Sequence, residues 1–268
     1  MIRCLVDGQP ADSVPIDDRG LLYGDALFET IAFHDGLAPL WPLHWQRLER
    51  GGRRLGINLP EEQRLLEDCR RLVPPERSVV IRLSVTRGSG GRAYFPDPDK
   101  PSRTIVQMRD WPANLDDQRR TGLAVVTASV TLASGSMLAG LKHANRLEQV
   151  LAARECAAAG ADEALVCDNQ GCLAEAIASN LIVEFGSRAV TPLSESGVEG
   201  VGLAWLQEQP EVTLDRVSLL RADLDLATGL MVINSVAGIR PVHSLDGRRL
   251  KISDRCRAWQ LLWNRRLG

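Results

Sequence analysis

The sequence predicts an α+β protein built as two domains, on three observations. Residues 78–87 (SVVIRLSVTR) set Val79, Ile81, Leu83 and Val85 on one face against Arg82, Ser84 and Thr86 on the other, the period of two of a half-buried strand. Leu147, Val150 and Leu151 instead recur at helical spacing, so both kinds of element are present. The polar stretch Pro112 to Arg120 (PANLDDQRR) reads as a linker, and 268 residues suffice for two domains of ordinary size. A boundary near residue 115 gives a small α/β N-terminal domain over 1–115 and a larger C-terminal domain over 116–268.

Bulk properties exclude several classes. With 44% hydrophobic and 25% charged residues the chain is neither disordered nor collagen-like. It has no apolar run of about 18 residues, and its start, MIRCLVDGQ, lacks a signal-peptide core, so a cytoplasmic protein without a membrane partner is expected. Thirty-four acids against 32 bases, with no long basic run, argue against nucleic acid. The six cysteines, at 4, 69, 156, 167, 172 and 256, form no Cys-x-x-Cys pair and read as reduced packing residues. Four histidines without ligand spacing predict no metal site.

Taken in order, the N-terminal half opens with a strand, a turn at Asp7-Gly8, and a loop leading to an apolar element from Ala26 to Phe33. Within the loop, Asp17-Asp18-Arg19-Gly20 and Tyr23-Gly24-Asp25 are polar punctuation that reads as turns. Leu43 to Gly56 (LHWQRLERGGRRLG) is a helix interrupted at Gly51-Gly52, with Leu43, Leu48 and Leu55 buried; its arginines 47, 50, 53 and 54 would ordinarily form a solvated face. Pro60 to Leu72 is a second helix, proline being tolerated in a first turn and Pro74-Pro75 ending it. The strand at 78–87 runs into a flexible basic loop, Gly88 to Tyr94, and Arg103 to Met108 supplies another strand.

The second half opens with a strand from Gly122 to Ser129 and reaches Lys142, at the mouth of a helix that stops at Gly160. Ala164–Cys167 and Cys172–Ala176 are short strands joined by Asp168-Asn169-Gln170-Gly171, a hairpin signal. The second carries Glu175 between Ala174 and Ala176, and a carboxylate among small apolar neighbours needs a cationic partner or exposure. After a strand at Leu181 to Glu184, the glycines of Leu193 to Gly202 (LSESGVEGVG) precede the helical Leu203 to Gln209; such a loop lets backbone amides approach a phosphate. A helix at Arg221 to Ala227, a strand at Leu230 to Ser235 ending in polar Asn234-Ser235, and a hairpin at Asp246-Gly247 follow. Ser253 caps a last helix that carries Trp259, Leu262 and Trp263.

By spacing alone Lys142 and Glu175 read as a solvated lysine and an edge-strand glutamate, as most such residues are. Joined, they supply what a pyridoxal phosphate site requires: an amine that forms a Schiff base and a carboxylate facing a protonated ring nitrogen. Lys142-x-x-Asn145-Arg146, then Asp162-Glu163-Ala164-Leu165-x-x-Asp168-x-x-Gly171, then Glu175-x-x-x-Ser179-Asn180-Leu181, in that order and at this separation, resemble the fold-type IV pyridoxal phosphate enzymes. Within them the chain looks most like the 4-amino-4-deoxychorismate lyase branch, and the resemblance begins near the first residue, with the block from Asp17 to Thr30.

The resemblance implies a D-amino-acid aminotransferase-like architecture with pyridoxal 5'-phosphate on Lys142 and Glu175 at its ring nitrogen. It singles out Arg47, in His-x-x-Arg-Leu, as a ligand of the cofactor phosphate, a task that suits the fixed fork of guanidinium donors. Gly200, Val201 and Gly202 carry over as the phosphate-binding segment, Gly202 standing where many relatives place a threonine. Ser235 matches a small polar phosphate contact, with a β-turn cap as the alternative. The Arg-Gly-Ser-Gly-Gly-Arg loop lies near the pocket in the lyase-like pattern, so Arg87 or Arg92 could receive a substrate carboxylate, and Thr30 is a further substrate candidate. The implied reaction converts 4-amino-4-deoxychorismate to p-aminobenzoate and pyruvate, in a homodimer. A D-amino-acid or branched-chain transaminase of the same fold, and a non-catalytic binding protein, are the alternatives; branched-chain transaminases usually carry a tyrosine shortly after the lysine, where Leu147 stands nearby.

Overall fold

In the computed structural model, which describes residues 3–193 and 195–265, the chain separates into two units. One comprises Met1–Trp111 with Leu141–Asn145, the other Pro112–Gly140 with Arg146–Gly268. The first begins with β1 (Cys4–Val6) and β2 (Gln9–Pro10), turned by Asp7 at φ 51° and Gly8 at φ 78°; two successive left-handed residues match the twist of a hairpin. Asp18 caps α1 (Arg19–Tyr23) by accepting from the Gly20 N–H at 2.8 Å, so this polar punctuation is a short helix and not a plain turn. β3 (Ala26–His34), α2 (Trp41–Leu55), α3 (Glu62–Leu72), β4 (Ser78–Thr86) and β5 (Arg103–Asp110) complete it. Every strand pair in the sheet is antiparallel, in the order β2-β1-β5-β4-β3.

Leu27, Ile31 and Phe33 of β3 meet Ile81, Leu83 and Val85 of β4 and Leu48 of α2 in the first core. Each such side chain contributes about 1.5–3 kcal/mol on burial. α2 runs unbroken through Gly51-Gly52, contrary to the interruption its sequence suggests. Both glycines are buried; a Cβ at Gly51 would stand 2.9 Å from the Leu27 side chain and one at Gly52 3.0 Å from the Ile57 carbonyl. The gain in packing offsets the roughly 1 kcal/mol that a helical glycine costs.

The second unit contains α4 (Leu115–Thr121), β6 (Leu123–Leu132), α5 (Leu147–Ala158), β7 (Glu163–Asp168), β8 (Leu173–Ala176), β9 (Asn180–Phe185) and β10 (Arg188–Pro192). α6 (Val201–Gln207), β11 (Asp215–Val217), a 3-10 turn (Arg221–Leu226), β12 (Gly229–Asn234), β13 (Gly238–Leu245), β14 (Arg248–Arg249) and α7 (Asp254–Arg265) follow. Its mixed sheet has the order β11-β10-β9-β12-β13-β6-β7-β8, with β14 on β13. The polar stretch read as a linker is built into this unit as α4: Arg119 donates to the Ala237 carbonyl, and Arg257 and Gln260 donate to the carbonyl of Arg119.

α5 departs from its sequence pattern in the opposite sense. Its buried residues are Gln149, Ala152 and Cys156, packed over Ala128, Ala164, Val166 and Ala174. Leu147, Val150 and Leu151 are 74%, 53% and 45% exposed, so the larger apolar residues line the outer face. Small residues let the helix lie close on the sheet. Among the described residues no helix is long and apolar enough to cross a membrane.

Candidate active site

In the first unit the alternation of β3 places Glu29 on the same face as Leu27, Ile31 and Phe33, where it is 1% exposed. The spacing of His44, Arg47, Leu48 and Gly51 on α2 brings all four to its buried side. Arg47 grips Glu29 with two donors, Nε to Oε1 at 2.8 Å and Nη2 to Oε2, while His44 Nδ1 stands 2.6 Å from Oε2. Burial alone would raise the Glu29 carboxyl; Arg47 and His44 outweigh it and hold it down at about 2. His44 is pushed below its ordinary value by burial, with the Arg47 and Lys142 cations adding to that and Glu29 opposing it. A neutral His44 therefore donates Nδ1–H to Glu29, and its buried Nε2 has no hydrogen-bond partner among the described residues. Arg47 thus leaves the solvated arginine face expected of this helix, because a buried carboxylate waits beneath it.

Phe28 and Thr30 lie on the other face of β3. The Phe28 N–H donates to the Lys142 carbonyl and the Ala144 N–H to the Ala26 carbonyl, each at 2.9 Å, with His143 bridged to Leu27. Residues 142–144 are thus a strand-like strip along the outer edge of β3. Lys142 is not at a helix mouth, since α5 begins only at Leu147. Its Nζ lies 4.6 Å from the centroid of the Phe28 ring, and the Arg82 guanidinium carbon 4.0 Å from the same ring, both favourable cation–π contacts.

Arg82 faces Thr30 in the β3–β4 register and is pushed below the usual arginine value by burial and then by Arg109. The sequence marks it only as the polar half of an alternating strand. What would have flagged it is the register itself, which puts a half-buried arginine beside Phe28 and Thr30.

The two loop arginines separate. Arg87 sends Nε and Nη2 to Asp25 at 2.6 and 3.0 Å, and Nη2 and Nη1 to the carbonyls of Leu55 and Gly56 at 2.7 and 2.6 Å. Its donors hold the end of α2 to the strand end, a structural task beside the substrate carboxylate that the resemblance implies for it. Arg92 is exposed in the loop, where its backbone bridges Phe95.

In the second unit Glu175 is 5% exposed on β8. Its Oε1 accepts from Gln149 Nε2 at 3.1 Å and its Oε2 from the Val198 N–H at 2.7 Å. A Cβ at Gly197 would fall 2.9 Å from Oε2, so the bare backbone is what lets this turn reach the carboxylate.

Gly200 caps α6, and Gly202 lies so close to the Asn234–Ser235 backbone that a Cβ would meet the Asn234 carbonyl carbon at 2.8 Å and the Ser235 nitrogen at 3.1 Å. Val201 and Gly202 stand in the first turn of α6, whose N–H groups a helix leaves without internal partners, and Gly202 packs against the backbone of Ser235. Asn234 sets that turn, its Oδ1 accepting from the N–H groups of Val236 and Ala237 at 3.0 and 2.7 Å. Ser194, inside the glycine-containing stretch, lies outside the described residues.

Unit by unit, the donor set suits pyridoxal phosphate: an amine in Lys142, a guanidinium in Arg47, a buried carboxylate in Glu175, and a glycine cradle beside Ser235 that a Cβ would fill. Among the described residues, no cluster of three or more histidine, cysteine or acidic side chains could hold a metal.

Several known proteins are similar to this chain over most of its length. The 4-amino-4-deoxychorismate lyase of Pseudomonas aeruginosa, a crystal structure, is similar at 37% identity and a TM-score of 0.90, covering 98% of each chain. The aminodeoxychorismate lyase of Vibrio harveyi is 29% identical over 92% of this chain and 93% of its own. A putative branched-chain-amino-acid aminotransferase of Methanocaldococcus jannaschii is 31% identical over 88% of this chain and 83% of its own. The family model for amino-transferase class IV matches residues 26–245, and the chain therefore belongs to that family of pyridoxal phosphate enzymes, with its fold-type IV α+β architecture.

Proposed function

We propose that this protein is a pyridoxal phosphate-dependent lyase that converts 4-amino-4-deoxychorismate to p-aminobenzoate and pyruvate. The observation that carries the reading is the 37% identity, over 98% of both chains, to the Pseudomonas lyase. In this reading Lys142 binds the cofactor covalently, Arg47, Gly200, Val201, Gly202 and Ser235 hold its phosphate, and Glu175 keeps its ring nitrogen protonated. The bound cofactor supplies an electron-accepting ring conjugated to the amine-bearing carbon of the substrate. Lys142 then takes the proton from that carbon. The electron pair expels the enolpyruvyl oxygen from the neighbouring carbon, and the released enol takes up a proton to become pyruvate. Aromatisation of the remaining ring makes the step effectively irreversible. Thr30 and Arg92 are the proposed substrate contacts.

The same first steps serve a transaminase, and similarity to the branched-chain relative of M. jannaschii and to a D-alanine aminotransferase of Bacillus licheniformis keeps a D-amino-acid or branched-chain transaminase as the second reading. We also propose a cytoplasmic homodimer, the apolar outer face of α5 being covered by the second copy. The test is to supply 4-amino-4-deoxychorismate and follow both products. One pyruvate per p-aminobenzoate supports the lyase; amino transfer to a keto acid without pyruvate release would replace it with the second reading.

A further inference from the structure

We infer that Gln149 is a positioning residue, whose side-chain amide sets the orientation of the Glu175 carboxylate and favours its charged form. The inference rests on the proposed role of Glu175 at the cofactor ring nitrogen. It starts from the contact between the two residues: Gln149 Nε2 donates to Glu175 Oε1 at 3.1 Å, and the residues are only 8% and 5% exposed.

The location of Gln149 makes this more than a local contact. It lies on the buried face of α5 with Ala152 and Cys156, above a layer of small residues. Its carbonyl oxygen is buried there without a hydrogen-bond partner among the described residues. An apolar side chain of the same length would fill the space without that desolvation cost, so packing alone does not account for a glutamine.

On the far side, Glu175 Oε2 accepts from the Val198 N–H at 2.7 Å, and Gly197 leaves no room for a Cβ beside that oxygen. The carboxylate is held between α5 and the 197–198 turn, with an N–H from each reaching a different oxygen. Two donors on different oxygens fix its plane, and each favours the ionised form over the protonated one. A carboxylate held in this way is a weaker competitor for the proton it shares with a ring nitrogen, so the proton stays on nitrogen. Without the Gln149 donor that oxygen would be the stronger base, and with the cofactor bound the shared proton would shift from the ring nitrogen towards the carboxylate.

The test uses holoenzyme loaded with pyridoxal phosphate carrying ¹⁵N in the ring, compared as parent, Gln149→Met, Gln149→Asn and Glu175→Gln at one pH. Methionine keeps the volume and removes the donor. Asparagine keeps the polarity and withdraws the amide by one methylene, so it carries the test if the methionine variant fails to fold. The parent should show the ¹⁵N shift of a protonated ring, Glu175→Gln that of an unprotonated one, and both Gln149 variants should move towards the latter. Turnover in the Gln149 variants should fall about tenfold, the scale of losing a supporting contact behind a functional group, with little change in KM. A parental shift in a folded Gln149 variant, while Glu175→Gln is displaced, overturns the inference and leaves the role of Glu175 standing. A parental shift in Glu175→Gln as well overturns that role and the inference together.

Discussion

Glu29 and Glu175 are buried to nearly the same degree, 1% and 5% exposed, each on a strand beneath a helix that reaches in with a polar side chain. The donors named at each differ in kind. Glu29 is met by a guanidinium through two donors and by an imidazole, so its burial rests on opposite charge. The bonds to Glu175 from Gln149 and Val198 come from a neutral amide and a backbone N–H. A buried ion pair is costly to break because the surviving charge is stranded, whereas a neutral donor can be withdrawn at the cost of one hydrogen bond. Losing a partner of Glu29 should therefore show first in stability, and, on the proposed role of Glu175, losing its charge should show first in turnover, although both are buried glutamates.

The largest expected effect would break the comparison at its charged end. Arg47→Met strands Glu29 and should cost about 3–5 kcal/mol of unfolding free energy, read from urea titration of the cofactor-free protein. Adding Glu29→Gln to that variant should restore much of the loss. If Arg47→Met is as stable as the parent, the ion pair has no structural role.

At the other end, Glu175→Gln should lower turnover about 100-fold, roughly 2.7 kcal/mol in the barrier, while cofactor retention and the urea midpoint stay near parental. A collapse of stability in Glu175→Gln, with unchanged turnover per folded molecule, would make the two glutamates alike.

Acid should sharpen the contrast. His44 and Glu29 both have folded values below their unfolded ones, so the unfolded state binds more protons and stability must fall with pH. The His44 contribution is present above the ordinary value of 6.5 and declines below it. That of Glu29 is full above 4.5 and is lost as pH falls towards about 2. Melting of the cofactor-free protein from pH 8 downward should follow this course, and Arg47→Met should flatten its lower part. An unchanged melting temperature down to pH 3 would show that neither group is linked to folding.

The smallest effect concerns the outer face of α5. Leu147→Lys with Leu151→Lys should change the stability of the monomer by only about 0.5 kcal/mol per site, yet shift light scattering to the 29.4 kDa of one chain. A dimer that survives both charges would show that this face is not the subunit contact.

What the sequence made legible was mostly local. The alternation of β4, the hairpin at Asp246-Gly247 (φ 48° and 80°) and the Ser253 cap, which accepts from the Cys256 N–H at 3.0 Å, depend on neighbours a few residues away. The family resemblance supplied Lys142, Arg47 and Glu175 by pattern. Lys142 on a strip beside β3, Arg87 spent on Asp25, and α4 fastened by Arg257 were not legible, because each depends on partners far along the chain. The outward apolar face of α5 was hidden for another reason: Ala152 and Cys156 on the opposite face leave the helix with little amphipathic contrast, so the spacing of Leu147, Val150 and Leu151 does not say which side the sheet lies on.

The strip at 141–145 also has a consequence in time. Residues 1–111 leave the ribosome first, with the rest of the first sheet, but the partner of the β3 edge is made about 30 residues later. At roughly 5–20 residues per second, that edge waits several seconds with the backbone groups of Ala26 and Phe28 unpaired. An open strand edge invites another chain to add to it. A fragment ending at Trp111 keeps its edge open permanently, and it should associate through that edge, which the full chain covers with residues 142–144.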